Sequence, residues 1–143
     1  MVYCIPLFGG ADKTEIKKLQ VMQNKAAQLV LKCPPRTNRK LMYDRLNWLT
    51  INQLVVFHTL LMVYKIRKTK EPEYMASLLC TESRNNRIMI PNTKLSLAID
   101  SFFWRGANDW NKLPQSLRQM EKFNEFKGEV FQWVRTNVKA IDD

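Results

Sequence analysis

A single histidine, four glycines and three cysteines in 143 residues each remove a class of chemistry. One imidazole, His58, leaves one possible nitrogen base for a Ser-His-Asp or Cys-His arrangement, and no Gly-x-Ser-x-Gly elbow accompanies it. Set within an apolar helical stretch, His58 reads as a core or boundary residue. Gly9-Gly10 precedes a helix start, where phosphate can bind, but lacks the Gly-Lys-Ser/Thr ending of a phosphate loop, and Asp12 competes for the same amides. Cys4, Cys33 and Cys80 are odd in number and 29 and 47 residues apart, which favours reduced, buried thiols over a disulfide framework or a zinc finger. No cofactor and no metal is implied. Long apolar runs are also missing. Residues 54–64 are interrupted by His58 and Thr59 and fall short of the ~20 residues of a membrane span. Residues 1–8 lack the basic start and small-residue cleavage site of a signal peptide. The expectation is an intracellular protein, nuclear or cytoplasmic, with no membrane partner.

What is present describes a folded chain. Hydrophobic residues make up 45%, and four Trp, seven Phe and seven Met supply core material. Helical punctuation recurs. Asp12 or Thr14 caps a predicted helix over 13–32, whose apolar face is read as Ile16, Leu19, Met22, Ala26, Leu29 and Val30, and Pro34-Pro35 ends it. Thr37 or Asn38 opens a shorter helix with Leu41, Met42 and Leu46. Thr50 and Gln53 form a Thr-x-x-Gln capping box ahead of a helix over 51–68, whose wide apolar face places it at the centre of the core. Further helices are predicted at 72–79, at 101–111 before Leu113-Pro114, and from about Asn124, with Phe126, Val130, Trp133 and Val134 on one stripe. The stretch 81–93 reads as a loop with at most one short strand. The chain is therefore expected to be one all-α domain over 1–143, with a small hairpin at 87–99 as the variant.

Charge is uneven. Lys and Arg total 23 against 13 acids, a net charge of +10, so an acidic partner is expected. Residues 13–45 hold nine basic and two acidic side chains, 65–94 hold seven and three, and 100–143 hold seven of each. Lys18, Lys25 and Lys32 recur every seven residues and predict one stripe, with Gln20, Gln23, Asn24 and Gln28 as neutral donors around it. Lys17, Lys18, Lys25, Lys32, Arg36, Arg39 and Lys40 are the candidate contacts to nucleic-acid phosphates. No base-reading motif accompanies them, so RNA or DNA binding of this kind is tolerant of sequence and sensitive to salt. The alternative is a helical module that docks on an acidic protein surface or self-associates.

Several blocks have a familiar order. Tyr3-Cys4-Ile5-Pro6-Leu7-Phe8-Gly9-Gly10, Leu19-Gln20-Val21-Met22-Gln23-Asn24-Lys25-Ala26-Ala27 and Trp48-Leu49-Thr50-Ile51-Asn52-Gln53-Leu54 are followed by Ser101-Phe102-Phe103-Trp104-Arg105-Gly106 and Trp110-Asn111-Lys112-Leu113-Pro114. Together they resemble the region just downstream of the polymerase core in non-LTR (LINE-type) retrotransposon reverse transcriptases. The resemblance implies a thumb-like and C-terminal helical segment of a transposable element, which grips template and primer while the catalytic aspartates lie upstream. Palm, fingers and those aspartates are absent here, so polymerase activity is not expected of this chain. Asp142-Asp143 mimics a paired-aspartate motif, but two-metal chemistry needs rigidly held carboxylates, and a terminal pair is read as coincidence. In the same frame Phe102, Phe103, Trp110 and Leu113 are expected in the core, with Asn111 capping nearby carbonyls.

Overall fold

Helix starts follow the capping chemistry. In the computed structural model, which describes Pro6 and residues 10–80, 82–90 and 101–139, Asp12 accepts from Thr14 N to open α1 (Lys13–Leu31) and Asn38 accepts from Lys40 N to open α2 (Arg39–Leu46). Thr50 and Gln53 close the reciprocal box at the head of α3 (Ile51–Thr69). Lys32, Asn47 and Lys70 end these three helices in the left-handed conformation. Then come α4 (Glu73–Leu79), α5 (Phe102–Lys112) behind a Ser101 cap, α6 (Gln115–Arg118) and α7 (Phe123–Asn137). Between α4 and α5 lie two short strands, β1 (Glu82–Ser83) and β2 (Arg87–Ile88), paired antiparallel around a tight turn at Arg84–Asn86. The chain is all-α.

α3 occupies the centre and packs against α1, α4, α5 and α7. Its Phe57, Leu60, Val63, Tyr64 and Ile66 meet Ala107, Trp110 and Leu113 on one side and Phe126, Val130 and Val134 on another. Trp110 is a core residue: it is 2% exposed, its Nε1 donates to Asn86 O at 2.9 Å, and its ring lies 5.8 Å from that of Phe126. A smaller cluster of Ala27, Met42 and Tyr43 joins α1 to α2. Cys33 and Cys80 are free and half-buried rather than buried, and Cys4 lies outside the described residues. By length and composition the segment Arg39–Thr69 contains an apolar window long enough to cross a membrane, and half of that window is buried inside the fold.

Three expectations are corrected. α1 turns its polar side inward: Ile16, Gln20, Asn24 and Ala27 are buried, while Met22, Leu29 and Val30 are 57%, 79% and 61% exposed. The physical reason is a hydrogen-bond network, described below, that satisfies the amides only in this rotation. The stretch expected as a loop with at most one short strand holds a strand pair, Arg87 opposite Ser83 and Ile88 opposite Glu82, while residues 91–99 of the hairpin variant lie outside the described residues. Asn111 does not cap its own helix. Its Oδ1 accepts from Ile88 N and its Nδ2 donates to Ile88 O, both at 2.8 Å, so it acts as an extra partner for β2.

The crossing of α3 and α5 depends on Gly106, where an added Cβ would stand 2.9 Å from Cγ2 of the fully buried Val63, whereas a Cβ at Gly128 on α7 would meet nothing within 4 Å. Gly106→Ala is therefore expected to cost about 1–2 kcal/mol, overpacking outweighing helix propensity. Gly128→Ala should add about 0.5–1 kcal/mol. Urea unfolding of the two variants checks both signs, and a Gly106→Ala protein as stable as the parent contradicts the close approach.

Candidate nucleic-acid interface

The geometry of the basic segment begins with buried amides. Gln20 Oε1 accepts from Ile51 N at 2.9 Å, while Gln20 Nε2 donates to Tyr43 OH at 2.6 Å and to Asn24 Oδ1 at 3.1 Å. The Tyr43 hydroxyl donates in turn to Asn24 Oδ1 at 2.8 Å, and Gln23 Nε2 donates to Leu49 O at 2.9 Å. These bonds tie α1 to α2 and to the start of α3. Gln20, Gln23 and Asn24 are thus structural, not donors beside the lysines, and Gln28 is spent on Pro35 O. The only sequence sign of this is the i, i+4 spacing of Gln20 and Asn24; their partners lie 19–31 residues away.

Fixing α1 in this way sets where the cations point. All seven candidate residues are exposed. Lys18 and Lys25 share one outer stripe of α1, with Lys18 held to Glu15 at 2.7 Å. That contact raises the Lys18 pKa, chiefly through the hydrogen bond and then the charge of Glu15. Lys32 leaves the stripe, because it is the left-handed cap and no longer follows helical spacing. Lys17 lies about 80° round the helix from Lys25 but within about 20° of Asn24, on a different flank. That flank borders a cleft of about 390 Å³ between α1, α2 and the end of α7, with Arg39 and Lys40 in its wall beside Tyr43, Trp48 and Arg135. Arg36 stands in the turn that joins the two helices. The candidates therefore divide into an outer stripe, Lys18 and Lys25, and a cleft side, Lys17, Arg39 and Lys40.

Both acids of the segment are engaged. Glu15 holds Lys18, and Asp44 holds Arg135, whose Nη2 is 2.6 Å from Asp44 Oδ1 and whose Nη1 donates to Asn47 at 2.8 Å. The second basic region behaves differently. A cleft of about 300 Å³ is lined by Arg67, Lys68, Asn86, Trp110 and Arg118, yet Arg67 donates to Leu79 O at 2.6 Å and sits 5.2 Å over the Trp110 ring. Arg118, buried, donates to Leu113 O at 3.1 Å and Asn85 O at 2.6 Å. Burial first, then the charges of Arg87 and Arg67, lower its pKa. These guanidinium groups hold the hairpin turn to the helices, so the charge there is largely structural. His58 is half-buried, with its pKa lowered by burial and then by Lys127. Among the described residues no three of His, Cys, Asp and Glu come together as a metal site, and Asp142-Asp143 lie outside them.

Tyr43→Phe removes a hydroxyl from a buried network and should cost about 1–3 kcal/mol in chemical denaturation. A loss below a few tenths of that range would mean that the amides close the network without it. The lone histidine gives a second, pH-dependent prediction. A folded-state pKa below the ordinary 6.5 means the unfolded chain binds the extra proton more readily. Stability is therefore full above pH 6.5 and declines as the pH falls below it, towards the folded-state pKa. His58→Gln should flatten that part of the stability profile, and proton NMR of the native chain should show its imidazole titrating below 6.5.

No protein-family model matches the chain, and no match was found among curated proteins or solved structures.

Proposed function

We propose that this chain is a non-catalytic helical module, of the kind found downstream of the polymerase core in LINE-type reverse transcriptases, that binds the phosphate backbone of RNA or DNA without reading its sequence. One observation carries the reading: in α1, the turn and α2, nine basic side chains face two acids, and both acids are already paired, one of them with Arg135 from outside the segment. A field of one sign, spread over exposed side chains of two helices, attracts a polyanion and releases its counterions. The cleft sets the Trp48 ring beside Arg39 and Lys40, a combination suited to a sugar-phosphate chain. The role is to hold nucleic acid, with any chemistry supplied elsewhere.

The test is the salt dependence of affinity for a fluorescent oligonucleotide. Each lost phosphate contact should flatten the slope of log affinity against log salt by ~0.9 on duplex or ~0.7 on single strands. Replacing Lys17, Arg39 and Lys40 together by Gln should reduce it by about 2 to 3 if the cleft side is the interface. Replacing Lys18 and Lys25 of the outer stripe together with the cap residue Lys32 asks this of the lysines away from the cleft. Unchanged affinity and slope in both triple variants would refute nucleic-acid binding through this segment.

A further inference from the structure

We propose that the groove between α1, the start of α3 and the middle of α7 is a docking site for an amphipathic helix of a partner protein whose flanks are acidic. The groove measures about 530 Å³, with Leu54 and Phe57 on its floor, Met22 and Ala26 forming one wall and Phe131 the other. Its polar side chains are few, and one of them, Gln23, already donates to Leu49 O at 2.9 Å. The apolar strip continues along α1 to Leu29 and Val30, both more exposed than Met22. Met22 to Leu29 is two helical turns, about 10 Å, the reach over which a bound helix places anchors at i, i+3 or i+4, and i+7.

Charge selects the occupant. Lys18 and Lys25 run beside the apolar strip on α1, while Lys127 and Arg135 stand one turn to either side of Phe131 on α7. Lys18 and Arg135 are paired with Glu15 and Asp44, which leaves Lys25 to charge one rim and Lys127 the other. Both rims of the groove are therefore cationic around an apolar floor. Laying α1 of a second copy here would set Lys18 and Lys25 of one chain against those of the other, between bodies that each carry +10. A phosphate backbone satisfies the rims but leaves the floor uncovered. An amphipathic helix with leucine-type anchors and Glu or Asp on both flanks satisfies both.

The probe is a fluorescein-labelled peptide of about 18 residues, long enough to sustain a helix, with Leu at i, i+4, i+7 and i+11 and Glu flanking them. Its control has the same composition in scrambled order. Anisotropy with the full chain should give affinity about tenfold or more above that of the control. Ala26→Arg is the discriminating variant, because it fills the groove while adding positive charge at an exposed helix site. It should weaken peptide binding by about tenfold with an unchanged melting temperature. Equal binding of the scrambled peptide overturns the proposal, as does an Ala26→Arg protein that binds as tightly as the parent or more so, because charge alone then suffices. A parent that sediments as a dimer and becomes monomeric on Ala26→Arg assigns the groove to a second copy and likewise overturns it.

Discussion

The hydrogen bond that Gln20 Oε1 accepts from Ile51 N decides how α1 sits, and the surface of the N-terminal half follows from it. Buried amides that lack partners are expensive, so once Gln20 and Asn24 lie against α2 and α3 the helix must keep the rotation that pairs them. Each apolar side chain left outside forfeits burial, yet an exposed Leu or Val costs only the stabilisation it would otherwise have contributed, while an orphaned amide group carries a penalty of its own. The rotation that serves the amides therefore prevails. It also carries the lysines to the outer surface and leaves Met22, Leu29 and Val30 beside them.

This is where the sequence was least informative. The caps at Asp12, Asn38, Thr50 and Ser101 are local chemistry, and helix starts were legible to within a residue or two. The core face of α3 was legible too, because ten of its residues are buried and no rival face competes. On α1 two faces compete, one apolar and one rich in amides, and hydrophobic spacing alone selects the apolar one. What reverses the choice is the Tyr43 hydroxyl and the Ile51 N–H, which only the folded chain brings near. The hairpin register escaped for the same reason, since the second partner of Ile88 is Asn111, 23 residues on. Exposure of the candidate cations followed from composition, but the division between outer stripe and cleft depended on the rotation of α1, and Lys32 left the stripe through its local left-handed cap.

α1 thus presents two kinds of surface within one turn of each other. Its lysines border an apolar strip on one flank, while Lys17 stands on the flank that leads to the cleft with Arg39 and Lys40. A polyanion on the outer stripe and a partner in the groove would both draw on Lys25, so the two occupants are electrostatically linked even where they do not touch. Occupation of one reduces the positive field available to the other, by an amount that falls as salt rises.

Arg118 carries a different consequence. Its described acceptors are the carbonyls of Leu113 and Asn85, and Asn86 in turn donates to the Arg118 carbonyl. All of these acceptors are backbone carbonyls, and amide oxygens do not titrate in the acid range. The clasp at the hairpin is consequently indifferent to acidity. The turn at Arg84–Asn86 is accordingly fastened against α5 and α6 by contacts that proton uptake does not remove.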